Sequence, residues 1–519
     1  MPTQLYARRW QALIVLALSL LVVMIGNTIL NVALPTIQAE LDASSTELQW
    51  IVDGYLLVFS GLLLAAGTLG DRFGRKKALQ AGLALFGGAS LLVLVVNTSG
   101  QLIAVRAIMG LGGALIMPAT LSIITNVFPR EERAKAIGIW SGMASIGIGL
   151  GPFFGGLLLE WFDWSSVFLL NVPVVAAAFV AGFWLVPDSR DPEPGRFDLP
   201  GMTLSMAALL TLVYGVIEAP ERGWTDGRIL GCFAVATVLA VAFVAWELRT
   251  ANPMLNLSFF RNPRFSVASG AMSLAFFALF GATFALTQFL QDAKGYSALE
   301  AGAAMIPLAG GLIAGAVTSV KVTERAGTKL VVGAGLAGLA ALLASSVVWT
   351  PDMAYLPIGF WFFAIAMALG WIAGPATASV MGAVPEQKAG VASAMNDVTR
   401  QVAGALGTAV IGSLITSGYG SRVSDAVAGL PDAAQTAASD SIGQANAVAA
   451  QLPAADGAHL VTAAANAFTD AMGAGFLVAA ACSLVAVFTV VRWLPARDRP
   501  APAEVVALPL ALRTQPEAA

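Results

Sequence analysis

Charge is what this 519-residue sequence has least of. Asp, Glu, Lys and Arg make up 11% of it, where soluble domains carry about 25%. Hydrophobic residues make up 57% and the mean hydropathy is +0.78. That balance excludes a soluble multidomain enzyme, and so apolar a chain with a net charge of −3 is no disordered polymer either. With 28 Lys and Arg against 31 Asp and Glu, and a pI near 5.4, no basic excess exists for a nucleic-acid partner. Histidine occurs once, at His459, and cysteine twice, at Cys232 and Cys482 inside apolar runs. A metal centre or a disulfide framework is therefore not expected. The chain also lacks a phosphate-binding loop, which excludes ATP as its energy source. Gly333, Gly335 and Gly338 match a dinucleotide fingerprint, but no strand precedes them, so they read as helix packing.

What the sequence does have is long apolar runs. A helix crossing ~30 Å of hydrocarbon needs about 20 such residues, and fourteen runs qualify, from residues 11–34 to 472–494. Placement of positive charge tests the count, because cytoplasmic loops retain Lys and Arg. With the N-terminus inside, four of the 28 basic residues fall in outer loops (Arg222, Arg228, Lys294, Arg422) and two fall inside spans (Arg106, Arg400). The remaining 22 are cytoplasmic, and one missed or invented span would spoil that asymmetry. The expected fold is an all-α polytopic membrane protein with fourteen transmembrane helices and both termini cytoplasmic. Residues 187–198 read as a cytoplasmic linker, and 417–470 as an external loop that can carry short amphipathic helices at the surface.

The loop after span two reads Gly67-Thr68-Leu69-Gly70-Asp71-Arg72-Phe73-Gly74-Arg75-Lys76-Lys77. Asp71 can accept hydrogen bonds from a helix N-terminus and pair with a nearby arginine, forming a charge latch. A weaker copy, Glu324-Arg325-Ala326-Gly327, follows span ten and suggests an internal repeat. In span five Gly147, Gly151 and Gly155 form one stripe for close helix approach, accompanied by Pro152 and Gly156. Gly311 and Gly315 in span ten are the expected partners of that stripe.

These motifs resemble the major facilitator superfamily. Thr28-Ile29-Leu30-Asn31-Val32-Ala33-Leu34-Pro35, Trp164 to Pro173 and Gly390 to Arg400 are similar to its fourteen-span drug:proton antiporter branch (QacA/EmrB-like). The resemblance implies an N-terminal six-helix bundle (1–186) and a C-terminal one (265–494), with two inserted spans and a linker between them (187–264) and a cytoplasmic tail (495–519). It implies proton-coupled export of hydrophobic, drug-like small molecules across the cell membrane by alternating access. A proton gradient would replace any cofactor, and the chain would work as a monomer in the bilayer, with a periplasmic adaptor left open. A dedicated exporter of one lipid, metabolite or antibiotic stays as the alternative; a membrane enzyme or a passive channel is the reading from another class. One departure matters: where the family usually carries Asp on span one, this chain has Gly26.

Four charges are left within the spans. Asp53 lies roughly 8 Å deep in span two at ~1.5 Å per residue, and Arg106 lies at similar depth in Leu102-x-x-x-Arg106-x-x-x-Gly110, which resembles the family's span-four motif. A lone charge at mid-membrane costs on the order of 3 kcal/mol, so the two are expected inside the bundle, near each other or in a wet cavity. Asp53 is the proton carrier in this reading and Arg106 its tuner; a fixed ion pair is the alternative. Asp397 and Arg400 stand three apart on one face of span thirteen, as a substrate or proton site or as a self-contained pair. Phe276, Phe280, Phe284 and Gln288 form a face of span nine that could wall a greasy pocket, or simply pack; Asn31 and Asn396 complete the pocket candidates.

Overall fold

The computed structural model describes residues 8–190, 198–250, 253–255, 257–384 and 389–495. The tail beyond 495 and linker residues 191–197 lie outside the described residues, as do the side chains of 389–394 in the motif before Arg400. Among the described residues, fourteen helices are long and apolar enough to cross a membrane. Spans one to seven are Arg9–Leu41, Ser45–Phe73, Arg75–Val95, Ser99–Val127, Lys135–Trp161, Ser166–Leu185 and Leu199–Arg222. Spans eight to fourteen are Gly227–Glu247, Pro263–Ala293, Ala298–Ala326, Thr328–Val348, Tyr355–Gly382, Met395–Val427 and Ala454–Trp493.

Local chemistry sets the ends of these helices. Ser44 with Glu47 and Ser297 with Glu300 form capping boxes at spans two and ten, and Thr98, Asp198 and Asp226 cap spans four, seven and eight. Gly74 joins spans two and three and Gly327 joins ten and eleven; both take positive φ, 114° and 83°, which glycine adopts without a Cβ clash. The two copies of the loop motif are thus also copies in backbone shape. Span ten breaks at Met305, two residues before Pro307, into Ala298–Ala304 and Ile306–Ala326.

The connections alternate between two ends of the molecule. One end gathers Arg8, Arg72, Arg75, Lys76, Arg249, Arg264, Lys321 and Arg325 and is here the basic face. The other gathers Asp42, Asp163, Glu221, Asp226, Glu300, Asp352 and Asp440 and is the acidic face. On the basic face Arg9 grips Glu132 through Nε (2.7 Å) and Nη2 (2.9 Å), tying span one to span five. That hydrogen bond holds the Glu132 carboxyl below its usual range.

Buried apolar side chains form two clusters, one drawn mainly from spans one to six and the other mainly from spans nine to fourteen. Span seven packs on spans two and thirteen, whereas span eight packs on span seven and leaves Leu230, Val235, Val238 and Val241 exposed. Two surfaces of span five differ from expectation. The stripe Gly147, Gly151, Gly155 faces span one, where added Cβ atoms would meet Met24, Thr28 and Ile29. Gly311 and Gly315 pack on Phe363 and Met367 of span twelve, so they are not its partners. The inter-cluster contact uses the adjacent face: Gly149 meets Ala309, Gly156 meets the Ala298 carbonyl, and Gly302 meets the Pro152 carbonyl. A spacing of four shows which glycines align but not which neighbour they align toward. Gly156→Leu would press side-chain atoms on backbone, an overpacking cost of about 1–3 kcal/mol; a lower thermal midpoint of the purified chain checks it.

Residues 417–470 also differ from the expected loop. Span thirteen continues to Val427, Asp432–Asp440 and Ile442–Ala449 are short helices, and span fourteen starts at Ala454. Alanine-rich sequence favours helix, with Pro431, Ser441 and Pro453 marking the starts. The short helices are anchored by buried Ala438, Ile442 and Ala445 rather than lying free on the surface.

Candidate functional site

The capping box that starts span two on the acidic face also lets Glu47 accept from Ser99 Oγ, fixing spans two and four together. One helical stretch deeper, Asp53 is fully buried at 0% exposure, and neither of its carboxylate oxygens has a hydrogen-bond partner. Arg106, 1% exposed, forms no ion pair with it. Its Nε donates to the Ile51 carbonyl (3.1 Å), its Nη1 to the Gly26 carbonyl (3.1 Å), and its guanidinium stands 4.5 Å from the Tyr55 ring centre. The ion pair considered from sequence is not formed. Backbone carbonyls and an aromatic face take the place of the carboxylate, and sequence spacing carries no trace of either. Gly26 matters here: its carbonyl serves Arg106, and a Cβ at 26 would press on Phe86 at 2.9 Å.

Across the molecule, Arg400 Nη2 donates to Asp397 Oδ1 at 2.5 Å, and the guanidinium lies 5.0 Å from the Phe276 ring centre. Side-chain exposures of 23% and 15% leave the pair partly accessible, unlike Asp53. Arg400 Nε and the buried Asn396 Oδ1 lack partners, so this patch has an unused donor and an unused acceptor. Phe276 and Phe280 lie 6.1 Å apart, with Phe280 flattened over Gly404. The proposed stripe of span nine therefore divides. Phe276 and Phe280 serve the Arg400 patch, whereas Phe284 and Gln288 line a cavity of about 10 Å3 beneath the acidic face. That is room for roughly one water, shared with Ser45, Tyr419, Asp440 and Ser441. Gln288 Nε2 donates to the Phe284 carbonyl (3.3 Å), and Asn31 is buried on span one.

The latch residues are arranged but joined only locally. Asp71 Oδ1 accepts from Arg75 Nε at 2.7 Å, four residues on, while Arg72 rests 5.6 Å from the Phe73 ring centre. Gly67 allows span two to approach Pro118. Glu324 and Arg325 are exposed, and among the described residues no recorded ion pair joins them to Asp71.

Sequence reasoning missed four groups. Gln49, 0% exposed and one turn before Asp53, accepts from Ser413 Oγ (3.2 Å) while its Nε2 is unpartnered; its i,i+4 spacing from Asp53 was the available signal. Tyr55 carries the Arg106 stack. Asp292 sits in a π-helical turn, Phe289–Ala293, with a buried, unpartnered Oδ2, and its carbonyl accepts from Asn446 Nδ2 (3.0 Å). Asp440 and Ser441 belong to a strap over the acidic face.

That strap closes the acidic end. Ser45 N donates to Asp440 Oδ2 (3.0 Å), Ser45 Oγ to the Asp440 carbonyl (3.1 Å), Gln38 Nε2 to Ser441 Oγ (2.7 Å) and Gln444 Nε2 to Asp42 Oδ1 (2.9 Å). Gln291 Nε2 adds a bond to the Val32 carbonyl (2.8 Å). These bonds and Ser413–Gln49 tie spans one and two to span nine, span thirteen and the strap, and all lie toward the acidic face.

Two helical clusters, closed against each other at one end and carrying buried charges between membrane-length helices, define a multi-pass membrane transporter. Residues 16–408 match the Major Facilitator Superfamily, and the chain belongs to that family, with fourteen spans as in its fourteen-span branch. It is a transporter and not an enzyme. It is 36% identical over 496 residues to the tetracenomycin C resistance and export protein of Streptomyces glaucescens, covering 93% of this chain and 91% of that one. It is 36% identical to the multidrug efflux pump LfrA of Mycolicibacterium smegmatis, covering 93% and 97%, and 35% identical to a methylenomycin A resistance protein of Bacillus subtilis, covering 78% and 87%. The fold is similar to the inward-facing, unoccupied crystal structure of a bacterial homolog of the human lysosomal transporter Spinster, with TM-score 0.64 at 20% identity over 96% of this chain and 99% of that one.

Proposed function

We propose that the chain exports hydrophobic, drug-like small molecules across the cytoplasmic membrane in exchange for protons, with the basic face cytoplasmic and the acidic face outside. Efflux and resistance relatives support the cargo class, and the distribution of Lys and Arg supports the orientation. The observation that carries the proton is Asp53. A fully buried carboxyl without a hydrogen-bond partner is a place where a proton can rest, because leaving the ionised form there is costly. Arg106, satisfied by carbonyls, is a fixed strut beside it.

Substrate meets the partly accessible Arg400–Asp397 pair with the Phe276 and Phe280 wall, and the unpartnered Arg400 Nε and the Oδ1 of buried Asn396 become available to it as the clusters move. Alternating access would rock the two clusters about the seam, with Asp71 and its Glu324 counterpart latching the cytoplasmic side when the outer side opens. Reconstituted vesicles with an imposed pH gradient test the exchange: gradient-driven export of a lipophilic dye, abolished by an uncoupler, is expected, and export indifferent to the gradient overturns it. Arg400→Glu sets two carboxylates three residues apart on one helix face, and the expected outcome is loss of export or a changed substrate range in an efflux assay. The tetracenomycin relative keeps a dedicated exporter in view, which a substrate panel in a pump-deficient host separates from a broad one.

A further inference from the structure

Residues 432–449 follow span thirteen in the chain, yet their polar contacts reach across the acidic face to spans one and two. Asp440 is the ionisable group bonded directly to span two. Its Oδ2 takes the Ser45 N–H, a donor in the first turn of that helix, where the macrodipole favours negative charge.

Its other neighbours are unfavourable. Glu47 of span two and Glu221 of span seven face it, Tyr419 of span thirteen donates its hydroxyl to the Ala438 carbonyl beside it, and Asp292 of span nine stands within electrostatic range of that same phenol. Asp42, in the turn between spans one and two, holds Gln444 of the next short helix. Among the described residues, no cation is recorded acting on Asp440. Burial pushes the Asp440 carboxyl above its usual range, Glu221 and Glu47 push it further, and the Ser45 N–H and Ser441 side chain oppose the rise.

We propose that the strap closes over a protonated Asp440, so that closing the acidic face is a proton-binding event and Asp440 is a positioning residue of the transport cycle. The inference rests on the alternating-access reading above. With the strap released, Asp440 would stand in water and titrate as an ordinary carboxylate. The state with the higher proton affinity gains as pH falls, and here that is the closed state. Closure therefore strengthens as pH falls through the window between the raised value and the ordinary carboxylate one; the gain is complete below that window and absent above it. A proton arriving from an acidic exterior thus favours the outward-closed form.

Spin labels on the full-length chain read this directly. Cys232→Ala and Cys482→Ala remove the native thiols, and Asn97→Cys with Thr350→Cys places one label on each half at exposed turns of the acidic face. The closed, short-distance population is expected to grow as the pH is lowered from neutral to the ordinary carboxylate value, about 4. In Asp440→Asn it should hold its acid-limit value at every pH. Ser45→Pro removes the N–H at a helical position that tolerates proline together with the hydroxyl that bonds the Asp440 carbonyl; measured against Ser45→Ala, which removes the hydroxyl alone, it should move the midpoint upward. A strap that is only structural would lose closed population by the same fraction at every pH in Asp440→Asn, and that result overturns the proposal. So does a wild-type pH profile retained in both Asp440→Asn and Ser45→Pro. Absence of gradient-driven export in vesicles would instead sink the transport reading while leaving the distance measurement standing.

Discussion

Asp53→Asn is expected to give a folded chain whose export no longer responds to an imposed proton gradient, falling to the level of protein-free vesicles. The side chain makes no hydrogen bond that asparagine would break, and its surroundings exclude water. Exchanging oxygen for an amide therefore removes one property, the capacity to take up and release a proton. An ionised, unpaired carboxylate is destabilising by several kcal/mol in such a place, so the variant's thermal midpoint should equal or exceed that of the parent. Full gradient-driven export by Asp53→Asn would move the proton to another acid, Asp397 or Asp292, and leave Asp53 as a packed side chain.

The second large effect concerns the strap. Gln38 Nε2 and Ser441 Oγ meet at 2.7 Å between the first span and the short helices that precede span fourteen. In a chain without Cys232 and Cys482, Gln38→Cys with Ser441→Cys should cross-link on oxidation, directly or through a short thiol reagent. If the acidic face opens in every cycle, export stops on oxidation and returns on reduction, while each single cysteine exports normally. Undiminished export by the fully cross-linked protein would mean that the strap travels with the N-terminal cluster and that the outer opening lies elsewhere.

The architecture was legible because hydrophobic length and Lys/Arg placement are carried by many residues at once. Fourteen spans survive errors at single boundaries. Whereas Asp397 and Arg400 keep partial exposure, the burial of Asp53 and Arg106 was legible too, since neither had a polar loop to occupy. Their partners were not. Arg106 is satisfied by carbonyls that any residue could supply, and Gly26 reveals its use only once span four lies beside span one. The Asp397–Arg400 contact, set by one helix turn, was readable. The span-five glycines announced a close approach, but its direction depends on helix rotation, which no single helix specifies. The strap was hidden because alanine-rich helices with few large apolar residues look like linker until their buried face is seen.

The inserted pair makes the molecule lopsided toward the bilayer. The two clusters meet along two flanks, one where span two packs on span thirteen and one where span five packs on span ten. Span seven covers the first, with the Val216 carbonyl accepting from Ser413 Oγ at 2.8 Å, and span eight extends that cover outward. Among the described residues no third helix covers the other flank in the same way, so the sequence that joins the two halves shields one side of the seam and leaves the other to the close glycine contacts of spans five and ten.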